Sequence, residues 1–479
     1  MGTNGLDYVG VTQEPVKGAV VEMICNGVKY AGAVTNVNGD YSLKASAGVN
    51  NFVRVYSQMQ DTSAPGTWNF KVVDNTASGA IYAMDSGSVN STLNITNHNL
   101  NAASGWGGSS YTSTRVAAPF AILDSVYTSF QKVLNVDANA VFPALNINWS
   151  VNNVAVSGNK AAGQITTSHF DGSAIYILGH ENNDTDEYDD HVIIHEWGHY
   201  FEHNFSRSDS IGGSHTTGDI LDIRLAFGEG FGNAYSGIAS GDSIYRDASG
   251  TQQSLGFGFD VDSNSCTNAG WYSECSVQSL LYDFNTQLGF SELYNVLTNE
   301  QKNTLAVTSI FSFVTPLKNN NAGFAATIDG YLTTQNIDSI TDIYGASELT
   351  NNPGSLNQLP VHTVGAPTVN ICTTNENGTI NKLGVHRFIR FNFTQSQSVT
   401  ITATKTSGLN ISDPDLALFK QGVRVGIAEG TAANFESLTT SVTSGDYVLD
   451  VLEFKYALAG GTPAITCHDI SITYGAGSP

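Results

Sequence analysis

The sequence predicts a multidomain α+β chain: an N-terminal β-sandwich module, a mixed α/β domain in the middle, and a C-terminal β-sandwich. Three observations lead there. A length of 479 residues is enough for two to four domains. Short β-rich runs broken by turn signals fill the N-terminal part. Further on, apolar residues first fall at helical spacing and then, beyond Pro367, alternate with polar ones. The expected boundaries are 1–60 for the first module, 61–110 for further strands and a linker, 111–346 for the α/β domain, 347–369 for a second linker and 370–479 for the last sandwich.

Composition narrows the partners. A 41% hydrophobic content supports a large core, while a net charge of −23 with only 20 Lys and Arg argues against nucleic acid or an anionic membrane. No apolar run approaches the length of a membrane-spanning helix. Met1-Gly2-Thr3-Asn4-Gly5 lacks a basic and an apolar leader region, so the chain is either cytosolic or begins after a removed signal peptide. Cysteine usage favours the second. Cys266 and Cys275 are close enough to close a small loop, and Cys372 and Cys467 bracket the last domain, which leaves Cys25 over. Two such pairs suit an oxidising compartment, and a secreted monomer is expected.

Residues 1–60 read as short strands: Val16 to Cys25, a turn at Asn38-Gly39-Asp40, then Tyr41-Ser42-Leu43, and Phe52 to Tyr56. With its N-G-D-Y-S-L turn and V-R-V strand, this stretch resembles the small transthyretin-like or immunoglobulin-like modules of secreted bacterial proteins. Trp68 to Val73 and Ala80 to Ala83 add strands, and a polar linker runs from Asn97 to Ser110. Val116, Phe120, Leu123, Val126, Tyr127 and Phe130 share one face of a helix over Val116 to Leu134. Residues 143–149 and 163–168 read as strands. Ala174 to Gly179 is a short apolar strand, either in the core or at an edge where it offers backbone groups to an extended peptide. Between it and the next helix lies the acidic run Asn183 to Asp190. Two uses compete for it. Asp184, Asp186, Glu187 and Asp190 can supply oxygen ligands to Ca²⁺, or they place negative charge at a helix N-terminus.

The middle domain centres on His191 to His203, which contains His195-Glu196-Trp197-Gly198-His199. Four residues make about one helical turn, so the two histidines share a face and can bind one Zn²⁺, with Glu196 beside them as a proton acceptor. Val192, Ile193 and Ile194 make the helix look buried, and two histidines and a glutamate are expensive to bury unless a metal pairs them. His203 is two turns from His195, too far to share an ion with both. The third ligand is expected in the glycine-rich helix Arg224 to Tyr235, where Glu229 lies among small and apolar residues; Asp219 and Asp222 are alternatives.

The H-E-x-x-H motif, followed about 30 residues later by Gly228-Glu229-Gly230-Phe231-Gly232, resembles the gluzincin metallopeptidases, especially the fungalysin-like branch, with thermolysin more distant. The likeness covers about residues 115 to 300. It implies a zincin-type catalytic domain and a zinc endopeptidase with ligands His195, His199 and Glu229 and Glu196 as general base. Where that family carries an Asp to orient the first histidine, this chain has Asn233, which can still accept from the imidazole N–H but lacks the charge. The metzincin pattern is excluded because its Gly and His positions are Glu202 and Phe205 here. Thermolysin-like sites also stabilise the oxyanion with a His and a Tyr. Tyr272 is the choice for that role, with Tyr235, Tyr282 and His215 as alternatives.

Helices are expected over Val277–Gln287, Phe290–Leu297, Leu305–Val314 and Ala322–Leu332. In the last domain Ile389, Phe391 and Phe393, then Val399, Ile401 and Ala403, then Tyr447, Leu449 and Val451 alternate with polar residues. The strand Asp413 to Phe419 and the S-G-D-Y-V strand resemble the pre-peptidase C-terminal domain of secreted bacterial peptidases. Taken together, these readings lead to the expectation of a secreted zinc endopeptidase acting on protein or peptide. Two alternatives stand beside it: a non-catalytic adhesin with a structural metal site, and a narrow-specificity (glyco)peptidase.

Overall fold

The computed structural model describes residues 11–47, 50–63, 65–89, 94–349, 351, 354, 360–363, 368–458 and 462–475. The expectations for Met1 to Gly5 and for most of the 347–369 linker lie outside them. The chain divides into two compact units, Met1–Asn204 with Tyr235–Val261, and Phe205–Ala234 with Asp262–Pro479. The division runs through one continuous helix, α3 (Ile223–Ser240), which belongs to both.

The first unit is built on a nine-stranded mixed sheet. Val28–Val34, Ala19–Cys25, Asn51–Asp61, Trp68–Asp74, Leu145–Trp149, Ile175–Ile177 and His169–Phe170 lie side by side in that order. Trp68–Asp74, Leu145–Trp149 and Ile175–Ile177 are parallel neighbours. A parallel pair needs a crossover, and α1 (Ala118–Leu134) supplies the first one, with Pro119 in its opening turn. Phe130 of α1 packs on Trp68 and Phe70 of the sheet. Phe70 also meets Tyr200 of α2 (Asp190–Phe205), so both helices rest on this strand. A smaller sheet of Gly179–His180, Asp184–Thr185, Ile244–Ser249 and Leu255–Asp260 completes the unit.

Two local expectations and one larger one are corrected. The N-terminal strands do not form a β-sandwich of their own, because Asn51–Asp61 pairs directly with Trp68–Asp74 and makes them part of the large sheet. Tyr41 to Leu43 is not a strand. Residues 163–168 form a loop rather than a strand. Gly163, at φ +83°, closes the turn Lys160–Ala162, and a side chain there would run into the Asn152 carbonyl. The strand beyond the loop is only His169–Phe170, and it covers the outer side of Ile175–Ile177. The apolar strand is therefore next to the edge rather than at it.

In the second unit, α4 (Glu274–Leu288) begins at Ser273, whose hydroxyl caps Ser276 N–H. Helices Phe290–Val296, Ile310–Asn320 and Ala325–Thr334 follow. The C-terminal strands form two sheets. His362–Thr363, His386–Phe393, Gly445–Glu453, Pro414–Lys420 and Val423–Ala428 make one; Thr368–Thr374, Ile465–Tyr474, Gln397–Ser407 and Phe435–Val442 make the other. Inward residues of both, among them Ile389, Phe391, Leu418 and Leu449 from the first and Val399, Ile401 and Ile470 from the second, share one core. This region is sandwich-like, as the period of two predicts. Cys372 and Cys467 are opposite one another in the second sheet and are bonded, as are Cys266 and Cys275, while Cys25 is free. Two disulfides are consistent with an extracellular protein. Among the described residues, no helix is long and apolar enough to cross a membrane.

Candidate metal centre

Helix α2 forms where the apolar run predicts it, with Asp190 in its first turn, where the helix dipole favours an acid. Its buried face is aromatic. Trp197 and Phe201 each stack on Tyr235 of α3, with ring centroids 5.6 Å and 6.0 Å apart. Tyr235 donates its hydroxyl to the Ser129 carbonyl at 2.7 Å. Nearly two turns before Trp197, the His191 ring nitrogen Nδ1 meets Ser236 Oγ at 3.0 Å. These contacts fix the C-terminal half of α3 against α2.

His195, His199 and Glu229 each offer one ligand atom, and these atoms lie within 4.8 Å of one another. His195 Nε2 and His199 Nε2 are 2.9 Å apart. Two nitrogens bound to one tetrahedral zinc at about 2.0–2.1 Å sit roughly 3.3 Å from each other, so the pair is already close to a ligand spacing. His195 and Glu229 are each 8% exposed. Two imidazoles and a carboxylate brought together, two of the three buried and His199 half-buried, form a donor set that suits a metal, and a His₂Glu set suits zinc. His203 is exposed and packs on Phe170, outside the group. Asp222 pairs with Arg224 and Asp219 with Lys382, so neither alternative acid joins it.

Glu196 is the next residue along α2 and is held separately. Its Oε2 accepts the Phe170 N–H at 2.7 Å, which holds the carboxylate against the outer strand of the large sheet. Asn233 donates its amide to Gln278 Oε1 at 2.9 Å. Tyr272 is buried, and its hydroxyl donates to Asn351 Oδ1 at 2.8 Å, so the structure does not bring it into the histidine–glutamate group. His215 is the side chain found beside Glu229. Its Nε2 lies 3.3 Å from Glu229 Oε2 and 3.4 Å from Glu274 Oε2. Burial alone would lower its pKa. The hydrogen bond and charge of Glu229, with the charge of Glu274, outweigh that and raise it to about 10. Burial lifts Glu274 to about 7 against the pull of His215. Glu274 has no sequence signal beyond its place at the start of a helix.

One glycine of α3 has a packing role that its surroundings make plain. A side chain at Gly230 would meet Val277 at 2.6 Å and the Glu274 carbonyl at 2.9 Å, so this glycine admits α4 rather than α2.

The acidic run separates into different jobs. Glu187 forms a buried ion pair with Arg115 at 2.7 Å and accepts from Trp149. Asp190 accepts from Ser125 Oγ at 2.7 Å at the start of α2. Neither belongs to the carboxylate group that forms around Asp184 and Asp186. Asp184 and Asp186 instead gather with Asp247, each offering an oxygen within the same 4.8 Å limit. Burial pushes Asp184 up and Asp186 well above the ordinary carboxylate range, and raises Asp247 to about 7.

No family model matches the chain, and no curated protein matches it. Among solved structures, the pre-peptidase C-terminal domain of a collagenase from Bacillus anthracis is similar over 26% of this chain and 100% of its own, at 12% identity and a TM-score of 0.18. A periplasmic inhibitor of g-type lysozyme from Aeromonas hydrophila covers 24% of this chain and 97% of its own, at 15% identity and a TM-score of 0.17. A β-glucosidase from Paenibacillus barengoltzii covers 37% of this chain and 20% of its own, at 14% identity and a TM-score of 0.14. None of these likenesses bears on function.

Proposed function

We propose that this chain is a zinc-dependent endopeptidase. The observation that carries the reading is the convergence of His195, His199 and Glu229 within 4.8 Å, with a second carboxylate, Glu196, one residue from the first ligand. A zinc ion bound there supplies Lewis acidity to a scissile carbonyl and acidifies water. Glu196 takes the proton from the attacking water and delivers it to the leaving amine. Its Phe170 hydrogen bond keeps the carboxylate from rotating away during that exchange. His215, whose Nε2 lies 3.3 Å from Glu229 Oε2, is the side chain proposed to steady the oxyanion. An extended substrate would lie along His169–Phe170, the outermost strand of the large sheet.

The test is hydrolysis by the zinc-loaded full chain. Wild type should cleave casein or a mixed peptide library. Glu196→Gln should lose about two to four orders of magnitude in rate while its zinc content stays the same. A zinc-loaded wild type that cleaves neither substrate, or a Glu196→Gln variant with undiminished activity, contradicts the reading.

A further inference from the structure

We infer that Asp184, Asp186 and Asp247, with Asp189 behind them, form a binding site for a calcium-class divalent cation that ties the start of α2 to the hairpin following α3. The register builds the site. Asp184 and Asp186 are two residues apart on an extended segment, so they share a face. Asp184 pairs with Ser249 across the antiparallel ladder, and stepping two residues along each strand sets Asp247 opposite Asp186. Asp189 is anchored to the same hairpin, its Oδ2 accepting the Ala248 N–H at 2.6 Å.

A cluster of acids alone would say little. The second observation is their unmet bonding. Asp186 is 3% and Asp189 0% exposed, and an oxygen of each is buried without a hydrogen-bond partner. One oxygen of Asp184 and the Thr185 hydroxyl are in the same condition. Asp186 spends its other oxygen on Ser168. Among the described residues, no Lys, Arg or His pairs with any of the four carboxylates. Buried carboxylates so close together repel strongly unless a positive charge lies among them. The donors are all oxygen, which selects a hard cation over zinc. Calcium takes six to eight oxygens at about 2.3–2.6 Å, so two of its ligands can stand up to about 5 Å apart, and the oxygens of Asp184, Asp186 and Asp247 lie within 4.8 Å of one another. Magnesium prefers a smaller octahedral shell rich in water. The inference stands whether or not the chain hydrolyses peptides.

The full chain carrying Glu196→Gln, stripped on a chelating resin and given back one equivalent of zinc, is titrated with Ca²⁺. Calorimetric melting and binding heat are both read. Calcium should bind and raise the melting temperature without displacing zinc. Asp247→Asn should weaken calcium binding about tenfold or more, keep its zinc, and melt higher than its parent when calcium is absent, because one uncompensated charge has gone. His199→Ala should lose zinc and keep the calcium response. Absence of heat and of any melting shift at millimolar Ca²⁺, equal affinity for Mg²⁺, or unchanged calcium affinity in Asp247→Asn would each overturn the inference. If Asp247→Asn fails to fold, Asp184→Asn is read by the same criteria.

Discussion

His191 shows how one buried side chain couples stability to pH. Burial lowers its pKa from 6.5 to about 4, with Asp242 at 4.0 Å opposing this and Arg246 assisting. The folded chain therefore keeps His191 neutral while the unfolded chain takes up a proton at higher pH. The associated stability is complete above pH 6.5 and is lost as pH falls towards 4. At pH 5 the loss is about 2 kcal/mol. Other groups titrate in the same range, so the measurement is a difference: unfolding free energies of wild type and His191→Asn at pH 7 and pH 5. Wild type should lose about 2 kcal/mol more than the variant; equal losses would show that His191 is not held neutral. At the same scale, residue type and spacing made the metal group legible. Two histidines one turn apart and a glutamate among glycines carry their chemistry in the sequence. Asp247 was not legible, because nothing near it in the chain signals that a ladder will bring it to Asp186. Nor was the role of Tyr272, whose hydroxyl is taken by Asn351, a partner far along the chain.

Elements are held by faces, and α3 uses two of them. One carries Tyr235 and Ser236 against α2; another presents Gly230 to α4. Gly230→Ala should push α4 away, since the new methyl would stand 2.6 Å from Val277 and 2.9 Å from a backbone carbonyl. The expected destabilisation is about 1–3 kcal/mol by denaturant unfolding. Adding Val277→Ala should restore only part of it, because the Cβ at position 277 and the Glu274 carbonyl remain. Full recovery would show that the close approach is to the side chain alone. Helical and strand periodicity gave α1, α2, α4 and the C-terminal strands nearly in place. Periodicity says nothing of pairing partners, which is why the N-terminal strands read as a separate module and yet joined the large sheet through Asn51–Asp61 and Trp68–Asp74. It also cannot see the positive φ of Gly163 that turns an expected strand into a loop.

For the whole molecule, the two disulfides brace different lengths of chain. Cys372–Cys467 closes 95 residues and Cys266–Cys275 closes 9. By loop-closure entropy the first contributes about 5 kcal/mol and the second about 3. Replacing Cys372 and Cys467 by Ser should therefore lower the melting temperature of its transition more than replacing Cys266 and Cys275. The reverse order would show that native-state strain or residual structure dominates. The central claim concerns the place where α2 and α3 meet, and X-ray absorption at the zinc edge of the zinc-loaded chain tests it most directly. The account predicts one zinc per chain with two imidazole nitrogens at about 2.0–2.1 Å and oxygen in the remaining positions, and loss of one oxygen contribution and of most of the zinc in Glu229→Ala. A sulfur ligand, a single imidazole, or an unchanged spectrum and zinc content in Glu229→Ala would contradict it.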